Sequence, residues 1–79
     1  MNYYVWTHKP GNWNVVAEGP WGPYTNLANT RIHARIKASR GKHDVAITTG
    51  PPKYTLVRLY AAGTGETLVR GGKRVARRA

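Results

Sequence analysis

Thr25-Asn26-Leu27-Ala28-Asn29-Thr30-Arg31-Ile32-His33-Ala34-Arg35-Ile36-Lys37-Ala38-Ser39-Arg40-Gly41 is the stretch on which the fold turns. Read with a period of 3.6, Ala28, Ile32, Ile36 and Ser39 share one stripe, broadened by Leu27, Ala34 and Ala38. Thr25 or Asn26 suits a helix N-cap and Gly41 a helix end, while Lys37, Arg40 and Lys42 stand where the helix dipole favours cations. Arg31 and Arg35 lie close to the apolar stripe, a place their long stems tolerate by snorkelling. Read with a period of 2, Ile32 to Ala38 alternates without a fault, as a half-buried strand does. Alanine fills two of the four inward positions of that strand, which is weak strand chemistry and good helix chemistry. The helix reading, over about 26–40, is therefore preferred. With 30–39 as a strand, the alternative is a small all-β barrel.

Upstream, Tyr3-Tyr4-Val5-Trp6-Thr7-His8 is rich in β-branched and aromatic residues, and Lys9-Pro10-Gly11-Asn12 carries turn chemistry. Trp13-Asn14-Val15-Val16-Ala17 then returns as a strand, which completes a β-hairpin. Gly19-Pro20-Trp21-Gly22-Pro23 has two glycines and two prolines in five residues and is expected to be irregular. Downstream, Asp44 to Thr49 reads as a strand broken by Gly50-Pro51-Pro52-Lys53. Tyr54 to Tyr60 alternates, with Thr55, Val57 and Leu59 on one face and Tyr54, Leu56, Arg58 and Tyr60 on the other. A turn at Gly63-Thr64-Gly65-Glu66 leads to a short strand at Thr67-Leu68-Val69-Arg70. Residues 71–79 hold too little apolar surface to pack, and are expected to form a mobile basic tail behind one compact domain, 1–70. Hairpin, helix, then two or three strands is an α+β order, one helix laid on a small antiparallel sheet.

Several features of this order are shared. Trp13-Asn14-Val15-Val16, then Gly19, Tyr24-Thr25, alanines at 28, 34 and 38, and Asp44-Val45-Ala46-Ile47 resemble small hairpin–helix–strand domains of unknown function in bacteria and phages. The likeness covers about residues 3–49, rests on pattern and brings no functional residues with it. The short, Ala- and Arg-rich, cysteine-free style also looks like a phage accessory protein.

The size sets a limit on stability. A chain of 79 residues buries only about 60% of the surface exposed when unfolded. With no cysteine and no phenylalanine, the core must come from Trp, Tyr, Val, Ile and Leu. A hydrophobic share of 41% is too high for a disordered chain. No apolar run reaches the roughly 18 residues of a membrane span, and the N-terminus lacks signal-peptide character, so a cytoplasmic protein with no membrane partner is expected.

Charge is the strongest functional signal. Ten of the 13 Lys and Arg residues fall in two stretches, Arg31, Arg35, Lys37, Arg40 and Lys42, and Arg70, Lys73, Arg74, Arg77 and Arg78. Residues 1–30 carry Lys9 against Glu18, yet hold all three tryptophans. The net charge of +10 implies a polyanionic partner, of which nucleic acid is the commonest.

Catalytic constellations are scarce. The three acids, Glu18, Asp44 and Glu66, lie near turns or strand ends and read as turn supports rather than an acid–base pair. Ser39, the sole serine, has no specified base, and His8, His33 and His43 lack metal-ligand spacing. Gly63-Thr64-Gly65-Glu66 lacks the Lys-Ser/Thr of a phosphate loop. The expectation is a protein that is not an enzyme, with no cofactor and no metal. It binds nucleic acid, DNA before RNA, through phosphates at the ten residues of the two basic stretches. Trp21 is expected to be a core plug, a stacking platform or a partner anchor. The rival expectation is a phage-type inhibitor docking on a host protein through Trp21 and the tyrosines. A ribosome- or capsid-associated role fits the charge as well.

Overall fold

The computed structural model describes residues 1–70, with Trp13 as backbone alone, together with the backbone of Lys73 and Arg74. Strands β1 (Tyr3–Lys9) and β2 (Asn12–Tyr24) form the hairpin, followed by helix α1 (Leu27–Arg40). Strands β3 (Asp44–Thr49), β4 (Leu56–Tyr60), β5 (Thr67–Arg70) and the two-residue β6 (Lys73–Arg74) complete an antiparallel sheet. The sheet order is β2-β1-β3-β4-β5-β6, so α1 carries the chain from β2 across to β3 on the far side of β1. The fold is α+β, with one helix on an open antiparallel sheet. The barrel alternative fails because 30–39 lies inside α1 and the sheet never closes.

The ends of α1 follow from local chemistry. The side chain of Asn26 accepts the amide of Asn29 at 3.1 Å, satisfying one of the donors left free at a helix start. The Gly41 amide bonds Ala38 O at 3.2 Å in an extended conformation. The turn after β4 closes over the same end, since the Gly63 amide also donates to Ala38 O at 2.9 Å. A Cβ on Gly65 would sit 2.9 Å from Arg35 O, so this turn approaches α1 as closely as glycine permits.

The core lies between α1 and one face of the sheet. Val5, Val45, Ile47 and Tyr60 from the strands meet Ala34 and Ala38, with Tyr3, Trp21 and Leu27 packed at the margin. The opposite face has a second cluster, Ala46, Leu59 and Val69, flanked by Trp6, Leu56 and Leu68. Tyr54 folds onto that face, edge-on to Tyr4 and Trp6, and the Trp6 indole donates to Thr48 Oγ1 at 2.9 Å.

Three expectations need correction. The Gly19–Pro23 segment is not irregular, because β2 runs through it as an edge strand. An edge strand pairs on one side only and so tolerates prolines. The thirteen residues of β2 face the seven of β1 through repeated bulges: Tyr3, Val5 and Thr7 oppose Tyr24, Trp21 and Glu18. Gly19 and Gly22 sit where those bulges press toward β1, at φ +112° and +135°. A Cβ there would lie 2.9 and 2.8 Å from the carbonyl oxygens of Val5 and Tyr3.

Secondly, the buried stripe of α1 is Thr30, Ala34 and Ala38, with Leu27 at its margin, while Ile32 and Ile36 are 56% and 43% exposed. Small side chains let the helix settle onto bulky strand residues, so bulk was the wrong guide to orientation. Thirdly, Leu56 opposes Thr48 and joins the outer cluster, because a register shift between Ile47 and Thr48 removes it from the face of Arg58 and Tyr60.

Candidate functional site

Helix α1 sets the cations in two directions. Arg31 and Arg35, one turn apart, lie on the flank toward β4 and β5. Lys37 lies on the opposite flank, with its Nζ 4.8 Å from the centre of the Trp21 ring. Arg40 is exposed in the last helical turn and Lys42 in the loop before β3. Arg70 ends β5 and is also exposed. Lys73 and Arg74 are described by backbone alone, where they pair with Arg70 and Val69. Arg77 and Arg78, with the remainder of the expected tail, fall outside the described residues.

The first flank brings together residues from three elements. Arg31 and Arg35 of α1, Arg58 of β4 and Arg70 of β5 line a pocket of about 180 Å3 around Tyr60 and Thr67. Arg58 and Arg70 are direct cross-strand partners. Burial raises the Tyr60 phenol above its ordinary value, and Arg58, Arg31, Arg35 and Arg70 all pull against that shift. The hydroxyl therefore stays protonated at neutral pH. Arg58 Nε is buried and has no acceptor.

The second flank holds a groove of about 640 Å3 between α1 and the distal half of β2, walled by Trp21, Tyr24, His33 and Lys37. Trp21 is half-buried and packs against the core cluster, with Lys37 over its ring.

Among the described residues the acids form no ion pair with the basic surface. Asp44 is buried, and its carboxylate accepts the Gly11 amide at 3.1 Å and the Ala62 amide at 2.8 Å. It fastens the hairpin turn and the turn after β4 to the head of the central strand β3. Glu18 and Glu66 are exposed on β2 and in that second turn. His8 is buried in β1, whereas His33 and His43 are exposed on the helix and its following loop. Among the described residues no group of three potential metal ligands forms.

The sequence reading missed Arg58. Its signal was present, since Arg58 and Tyr60 share one face of an alternating strand, and a cation on a half-buried face calls for a partner. The Asp44 clamp was legible only as a vague turn support, because the Gly11 and Ala62 amides lie 33 and 18 residues away.

Comparisons with protein-family models, curated proteins and solved structures found no match to this chain. Among the described residues, no helix is long and apolar enough to cross a membrane.

Proposed function

We propose that this protein is a non-enzymatic module that grips nucleic acid through its phosphates, DNA before RNA, with little sequence preference. The observation that supports this best is the fate of Asp44. It is the acid nearest the first basic stretch in sequence, and its carboxylate is spent on two backbone amides. Arg31, Arg35, Lys37, Arg40 and Lys42 are exposed, and among the described residues none of them forms an ion pair with an acid. A cationic surface of this kind attracts polyanions and releases their counterions on contact. Arg70 extends the surface onto the sheet, and Arg58 adds a cation that the sequence reading left out.

The test is affinity for duplex DNA as a function of salt. Four to six phosphate contacts give a slope of log K on log salt of roughly −4 to −5. Replacing Arg40 by alanine should flatten that slope by about 1 and weaken all sequences alike. Absence of binding to duplexes and single strands at about 50 mM salt defeats the reading.

A second reading, docking on a host protein, is favoured by one observation. Ile32 and Ile36, expected in the core, lie on the solvent side of α1 between the arginines. Exposed apolar residues one turn apart are an anchor for a partner protein. Nuclease treatment separates the readings: a partner held by protein contacts survives it, and one held through nucleic acid does not.

A further inference from the structure

The arginine pocket on the β4–β5 flank has a cost that the fold does not explain. Like charges directly across a strand pair destabilise a sheet, yet Arg58 opposes Arg70. Two more arginines, Arg31 and Arg35 of the helix, line the same pocket, and their charges act on Tyr60. No carboxylate among the described residues pairs with any of the four, and Arg58 Nε is buried without an acceptor. A buried ionised group short of a hydrogen bond is unfavourable until something supplies the missing charge.

We propose that this pocket binds a single dianionic phosphate group, a phosphomonoester at the end of a nucleic-acid strand or on a free nucleotide. Size, charge and shape converge on that ligand. At about 180 Å3 the pocket is smaller than the roughly 300 Å3 at which sites for larger ligands begin, so it suits a phosphate and not a base. A phosphomonoester carries a charge of about −1.5 to −2 at neutral pH, whereas a backbone diester carries a single negative charge. Its three free oxygens match guanidinium forks, which bind phosphate in bidentate fashion. The protonated Tyr60 hydroxyl adds a neutral donor to the same wall. The inference deepens the nucleic-acid reading by giving it a preferred position on the strand, and only the strand-end source depends on that reading.

The experiment compares short single strands that are identical except for a 5′-phosphate, a 3′-phosphate or hydroxyl ends, with a nucleoside monophosphate and inorganic phosphate alongside. A phosphorylated end should bind at least about fivefold tighter than the hydroxyl form. Arg58→Gln should bring that ratio close to one, whereas Lys53→Gln, an exposed charge loss elsewhere, should leave it intact. Should Arg58→Gln fail to fold, Arg70→Gln at an exposed position reads out the same ratio. Inorganic phosphate should shift the Arg58 guanidinium resonances saturably. A nucleoside monophosphate that matches the strand end assigns the site to free nucleotides, and one that binds more weakly assigns it to strand ends. If no strand binds but inorganic phosphate still saturates the Arg58 shift, the pocket stands and the nucleic-acid reading falls. Equal binding of phosphorylated and hydroxyl strands, or a ratio that survives both arginine changes, overturns the pocket.

Discussion

Asp44 shows how much one side chain can carry in a domain this small. Its two acceptor oxygens hold amides from turns distant in sequence, and both bonds are charge-assisted. Asp44→Ala leaves both amides without their acceptor, at a cost of about 2–4 kcal/mol, the scale of losing a charged acceptor inside a protein. Asp44→Asn keeps one acceptor and should cost about half as much. Urea denaturation of the two variants measures the difference, and equal losses would show that the carboxylate's second oxygen contributes nothing. The consequence for function is indirect: engaged by two backbone amides, Asp44 forms no ion pair with the basic stretch beside it.

At the scale of the element, the orientation of α1 is the sharpest test. Ala38 is 0% exposed against the sheet, and Ile32 is 56% exposed. Ala38→Leu should overpack the helix–sheet contact and destabilise by about 1–3 kcal/mol. Ile32→Gln, which adds no charge beside the arginine pocket, should change stability by no more than about 0.5 kcal/mol. Thermal denaturation of the pair decides the matter, and the reverse pattern would restore the isoleucine stripe as the core. The hairpin and the helix ends were legible in the sequence because β-rich runs, Asn26 and Gly41 act within a few residues. The helix orientation was not, because its two isoleucines and its buried alanines point to opposite faces and hydrophobicity alone favours the isoleucines. Nor was the full length of β2, since edge position is a tertiary fact, and only at an edge do Gly19 to Pro23 remain a strand. In the site, the exposed cations of α1 were legible from charge density. Their division between the Trp21 flank and the Tyr60 flank was not, nor was the recruitment of Arg58 across the sheet.

For the molecule as a whole, charge and stability oppose one another. A net charge of +10 on 79 residues repels itself, and the four pocket arginines concentrate that repulsion on a half-buried wall. Raising sodium chloride from about 10 to about 150 mM shortens the Debye length from about 30 to about 8 Å, so the melting midpoint should rise. Inorganic phosphate should raise it further at equal ionic strength, because specific binding to the folded state adds to screening. Arg58→Met keeps an apolar stem of similar reach and removes the half-buried charge. It should gain about 1 kcal/mol in low salt, of the size found when sites kept for function are relaxed, and lose the extra response to phosphate. For a domain of this size that gain is a rise of roughly 4–8 °C. Melting curves of both proteins in chloride and in phosphate carry the whole comparison. A less stable Arg58→Met would mean that the guanidinium is held by the fold and not by a ligand, and that its charge is part of the core's own economy.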